Sequence, residues 1–167
     1  MQALATHLDH RTQSCFHQKI KVEHLSGLSH GQQHIEGRRD IIIRCLVEFL
    51  GESVEELIKE YEDVSQEAVK EDCSQHLMKV IVICQNLEQE SQDLSYVSVV
   101  IEGKEVLEDC RSVANACLLL MGVIYAVNLS YPLKLKYTFE VFQKMLLELD
   151  ALKMSSKVQA LHRKLLA

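Results

Sequence analysis

From Ser112 to Leu133 the chain carries no charged side chain, with Arg111 and Lys134 standing at the two borders. A segment of that length and character either crosses a bilayer or becomes the buried centre of a globular domain. Asn115 and Asn128 lie near its ends, and the Tyr131-Pro132 pair is a helix terminator, because a residue before proline is pushed out of the helical region. Charged amphipathic segments on both sides also need an apolar partner. The segment therefore predicts a buried central helix, with a single-span membrane protein through 112–133 as the alternative.

The flanks supply the other elements. Ile42, Cys45, Leu46 and Phe49 recur at the spacing of a helix face, and Gly51 supplies the stop. Ser53 followed by Glu56 is a capping-box signature, so Leu57, Ile58 and Tyr61 predict a second short helix. Ser65 can cap a further turn or two through Lys70. Leu77, Val80, Cys84 and Leu87 fit a helical stripe, but the β-branched run Val80 to Ile83 favours a strand. Tyr96 to Ile101 alternates and stops at Gly103, so the two runs predict an antiparallel pair linked through Gln85 to Asp93. After Pro132, the residues Leu135, Phe139, Phe142, Leu146 and Leu149 form an amphipathic stripe opposite Glu140, Lys144 and Glu148. Ser155 caps a last helix with Val158, Leu161 and Leu165 on its inner face.

The fold class expected from this series is α+β and mostly helical: about six helices around the central apolar helix, with a small antiparallel β-hairpin. The expected organisation is a single domain over 38–167, preceded by a flexible His-rich segment over 1–37. That segment holds six of the eight histidines and three of the six glycines, without sustained apolar periodicity.

Charge sets further bounds. The net charge is −6, yet residues 1–39 hold five Lys/Arg against three Asp/Glu, which leaves thirteen against twenty-one from residue 40 onward. So acidic a body repels phosphate backbones, and nucleic acid is set aside as a partner. The six cysteines are scattered, and Cys45 and Cys117 lie within apolar helical runs, the pattern of reduced thiols in an intracellular protein. With no basic-then-apolar leader at the N-terminus, cytoplasm or nucleus is the expected location.

Four runs add a resemblance. Arg39-Asp-Ile-Ile-Ile-Arg-Cys-Leu46, Val100-Ile-Glu-Gly103 with Glu105-Val-Leu107, Ala116-Cys-Leu-Leu-Leu-Met-Gly-Val-Ile-Tyr-Ala-Val-Asn-Leu-Ser-Tyr-Pro132, and Tyr137-Thr-Phe-Glu-Val-Phe-Gln-Lys144 are similar to the C-terminal region of the vertebrate sterile alpha motif domain-containing protein 3-like family. The resemblance covers roughly Arg38 to Leu166. It transfers no catalytic or binding residue. It implies the C-terminal module alone, since 1–37 leaves no room for the sterile alpha motif itself.

Candidate chemistry is sparse. His30 and His34 would share a face of a helix and are the weak metal candidates, but Gly31 weakens a helix there and no Cys-x-x-Cys knuckle accompanies them. Cys73 and His76 stand at i, i+3, the spacing of a thiol beside its base, although no glycine run for an oxyanion follows. A metal- or thiol-dependent enzyme is thus the alternative to the main reading, a non-enzymatic protein-interaction or regulatory module without cofactor. Two surfaces are nominated for a protein partner: the acidic run with Glu55, Glu56 and Glu60, and the last helix with Leu161, Arg163 and Leu165.

Overall fold

The computed structural model describes residues 31–62, 64, 66–84, 95–150 and 153–166. The histidines up to His30, the Ser65 cap and the link through Gln85 to Asp93 lie outside them. The chain divides into two compact units, one formed by Val54–Pro132 and the other by Met1–Ser53 with Leu133–Ala167.

The unit Val54–Pro132 is built on a sheet. Its elements are α2 (Val54–Leu57), β1 (Ile58–Glu62), α3 (Gln66–Cys73), β2 (Met78–Cys84), β3 (Ser95–Ile101), β4 (Lys104–Leu107) and α4 (Val113–Ala126). The α+β class holds. The expected antiparallel pair is β2 with β3, running from Met78 opposite Ile101 to Cys84 opposite Ser95. The expected small hairpin is nevertheless a four-stranded mixed sheet in the order β1-β2-β3-β4, with β1 parallel to β2.

The reason lies in β2. Val80, Ile81, Val82 and Ile83 are all buried, so this strand is covered on both faces, and its backbone groups need partners along both edges. Ile58 to Glu62 supplies the second edge. The spacing of Leu57, Ile58 and Tyr61 suits a helix, but Ile58, Glu60 and Glu62 also alternate with Lys59 and Tyr61, and pairing with β2 decides for the strand. The predicted second helix shrinks to the four residues of α2. β4 returns beside β3 through a two-residue turn in which Glu102 (φ 50°) and Gly103 (φ 73°) are both left-handed, the conformation that matches strand twist. A Cβ on Gly103 would lie 2.8 Å from the Ser74 carbonyl oxygen, which leaves no room for a larger residue.

Each sheet face has its own cover. Val69 and Cys73 of α3 cluster with Ile81, Ile83 and Val100. The opposite face, with Val80, Val82, Val97 and Val99 buried, is left to α4, which packs on β2 and β3. Ser112 starts α4 in extended conformation and its hydroxyl accepts from the Asn115 N–H at 3.2 Å. The apolar helix of the sequence therefore covers a sheet instead of forming the hub of a helical cluster. It stops at Ala126, short of Pro132, and among the described residues no helix is long and apolar enough to cross a membrane.

The other unit holds α1 (Gly31–Phe49), α5 (Lys136–Val141) and α6 (Ser156–Leu166). α1 begins ahead of Arg38, where the apolar spacing starts. It ends as predicted at Gly51 (φ 65°): Gly51 N–H reaches the Glu48 carbonyl and Glu52 N–H the Val47 carbonyl, which satisfies the last turn. Leu50, Val141, Val158 and Leu161 form the core, with Phe49, Tyr137 and Met145 packed against it.

The long amphipathic helix expected after Pro132 is broken. A 3₁₀ turn, Leu133–Leu135, leads into α5, and Phe142–Leu146 winds as a π-helix. A π turn takes an additional residue and so rotates everything after it by about 100° from the α pattern. Leu135, Phe139 and Phe142 are buried accordingly, but Leu146 and Leu149 come out 57% and 41% exposed. The Ser155 hydroxyl caps α6 by accepting from Val158 N–H at 3.4 Å.

Glu140 ties α5 to that cap. Burial alone pushes its carboxyl up, but the Ser155 N–H at 2.6 Å, the Ser155 hydroxyl and the Lys144 ammonium at 3.4 Å together hold it below the usual carboxylate range. A carboxyl whose folded value lies below an unfolded value near about 4.3 adds stability above that pH and loses it as pH falls through the folded value. The stability gap between the native chain and Glu140→Gln, measured by urea unfolding, is therefore expected to narrow on going from pH 7 to pH 3.5. An unchanged gap would remove the charge from this account.

Candidate functional site

Among the described residues, α4 carries a run of exposed apolar side chains. At 100° per residue, Ala116, Leu120 and Ile124 turn toward the sheet with Cys117 and Met121, all buried. Asn115, Leu118, Leu119, Gly122, Tyr125 and Ala126 occupy the opposite arc, about 120° wide. Leu118 is 48% exposed, Leu119 42% and Tyr125 47%, and Val127 just beyond is 59% exposed. A helix with a solvent face ordinarily places charges there, and this one has none.

The surface is shaped at both ends of its central row. A Cβ built on Gly122 meets nothing within 4 Å, so the row is flat at its middle, where a partner backbone can approach. Tyr125 is held by the Tyr131 side chain, whose hydroxyl is pushed well above the ordinary tyrosine range by burial and then by its hydrogen bond and proximity to Tyr125. An aromatic already fixed in place loses little rotamer freedom when something docks on it.

The residues nominated from sequence divide between the two units. Glu55 and Glu56 begin α2, the former exposed and the latter half-buried, while Glu60 is exposed on the edge strand β1. The acidic run is thus split between a helical turn and a strand, and charges on an edge strand discourage further strand pairing. The Glu55 carbonyl accepts from Lys79 Nζ at 2.6 Å, which joins α2 to β2. In the other unit Leu161 is a core residue at 1% exposure, Arg163 is exposed, and Leu165 is 38% exposed. The last helix closes its core with Val158 and Leu161.

The metal and thiol candidates fare differently. His30 lies outside the described residues and His34 is placed only as part of α1. Among the described residues no three His, Cys, Asp or Glu side chains are grouped to hold a metal ion, and no disulfide forms. Cys73 is buried at the end of α3, and burial, followed by the charges of Asp72 and Glu105, pushes its thiol up. That direction keeps the thiol protonated, opposite to the activation a nucleophilic cysteine needs. Burial and then Lys79 push His76 down, against the pull of Asp72, and its Nε2 is buried without a hydrogen bond, 3.8 Å from Asp72 Oδ2.

Asp72 is engaged instead by Tyr61, whose hydroxyl donates to it at 2.5 Å. This bond, together with His76, Lys59 and Lys79, holds the Asp72 carboxyl down in spite of some desolvation, and it fastens α3 to β1. The group is a structural clasp.

In comparisons with known proteins, no family model matches this chain, and no curated protein or solved structure matches it either.

Proposed function

We propose that the protein is a non-enzymatic interaction module that docks a protein partner through the outward face of α4. The observation that carries this reading is an ordered helix surface made of Leu118, Leu119, Gly122 and Tyr125 with no charge among them. Large exposed apolar patches mark interaction sites, and fixed aromatics flanked by small residues suit close packing against another backbone. Membership in the sterile alpha motif domain-containing protein 3-like family, as its C-terminal module in the cell interior, is part of the same proposal. It rests on the runs Arg39 to Leu46 and Ala116 to Pro132.

The test is site-specific photocrosslinking in cells. A photoreactive residue at Leu119 or Tyr125 is expected to give a discrete higher-mass adduct, and the same residue at Glu55 or Arg163 only background. Leu118→Glu in the Tyr125-labelled chain is expected to reduce the adduct at least tenfold. Adducts arising from Glu55 or Arg163 and not from α4 would move the docking surface to the acidic or C-terminal candidates. Background at all four positions would sink the interaction reading.

A further inference from the structure

The sheet face under α3 is incompletely filled. A cavity of about 410 Å³ opens there, within the range of roughly 300–1,000 Å³ typical of small-molecule sites. Its floor is the sheet itself, with Ile81 and Ile83 from β2 and Val100 from β3, and its inner wall is Val69 and Cys73 of α3. These apolar surfaces suit a hydrocarbon.

One side of the cavity is polar. Ser98 lies on the floor opposite Ile81, only 1% exposed. Two residues along the same face, the Tyr96 hydroxyl donates to Glu105 Oε1 at 3.1 Å across the β3–β4 pair. Glu108 stands on the same rim, and Lys104, exposed there, leaves the two carboxylates in excess. Burial first, and then the hydrogen bond to Glu105 and the charges of Glu105 and Glu108, push the Tyr96 hydroxyl up to about 12.

We propose that this cavity binds a primary ammonium ion carrying a small apolar body. The hydrocarbon lies on Ile81, Ile83 and Val100, and the ammonium donates to Glu105, Glu108 and the Ser98 hydroxyl beside Tyr96. Three N–H donors then meet three acceptors, two of them charged. A neutral ligand leaves the carboxylates uncompensated, and an anionic one is repelled by them. The site is separate from the α4 face, which covers the other side of the sheet.

The experiment titrates the full chain with 2-phenylethylammonium, 2-phenylethanol and 3-phenylpropanoate, followed by ¹H–¹⁵N chemical shifts. Saturable shifts confined to α3, β2, β3 and β4 are expected for the ammonium, with at least tenfold weaker binding of the alcohol and none of the carboxylate. Glu108→Gln, which leaves the Tyr96–Glu105 bond intact, is expected to weaken the ammonium at least fivefold, and Glu105→Gln more. Ser98→Phe, filling the floor, is expected to abolish binding, and the dispersed spectrum of each variant reports whether it folds. Equal affinity for ammonium and alcohol, shifts scattered over the surface, absence of binding at millimolar ammonium, or an unaltered Glu108→Gln affinity would each overturn the proposal.

Discussion

Replacing Leu120 with alanine is expected to lower the unfolding free energy by about 3 kcal/mol, within the roughly 2–5 kcal/mol range for deeply buried leucines. Its side chain is fully buried, so truncation leaves a cavity against the sheet as well as lost transfer energy. The same substitution at Leu118 or Leu119 is expected to cost under about 1 kcal/mol, because nearly half of each side chain is already in solvent. Urea unfolding of the three single variants, followed by circular dichroism, gives the comparison directly. Three equal losses would mean that α4 is buried all round and that the docking face does not exist. Nothing in the run Leu118-Leu119-Leu120 distinguishes one leucine from the next; the helix phase relative to the sheet does.

The second large effect is expected at Glu52. The Schellman turn at Gly51 delivers this side chain to the start of α5, where Oε1 accepts from Tyr137 N–H and Oε2 from Thr138 N–H, each at 2.9 Å. Two N–H groups that precede the first intrahelical bonds thereby gain a charged acceptor. Glu52→Ala is expected to cost about 2–3 kcal/mol, since bonds to charged groups are worth about 1.5–3 kcal/mol and the orphaned donors are half-buried. Glu52→Gln, which keeps one oxygen for one donor, should lose about half as much. Hydrogen exchange at the Tyr137 and Thr138 amides is the local readout and should accelerate in Glu52→Ala. Native stability with those amides still protected would show that the carboxylate is dispensable.

Much of the candidate docking face was legible in composition and little of it in geometry. The absence of charge from Ser112 to Leu133 marked α4 as an apolar helix. It also pointed to complete burial, because a charge-free helix and a core helix look alike until one side is seen uncovered. The acidic run and the last helix attracted attention because charge and amphipathicity are easy to read along a chain. Their separation onto a turn, a strand and a closed core depends on pairing that no local spacing encodes. The cavity under α3 had no linear signature at all, since Cys73, Ser98, Tyr96 and Glu105 come from three elements brought together by strand register.

The sequence by itself determined what is settled within a turn or two of chain. Gly51 ends α1, Ser112 begins α4, Ser155 begins α6, and the β-branched run pairs with Tyr96 to Ile101, because caps, left-handed glycines and alternating burial act between near neighbours. Tertiary structure decided the rest. Ile58 to Glu62 became a strand because β2 needed a second edge, and Glu52 found its partners 85 and 86 residues away. α4 was left with one apolar face outward because the sheet has room to cover only the other. Such outcomes are set by which surfaces meet across the fold, and hydrophobic burial, being non-directional, does not specify them residue by residue.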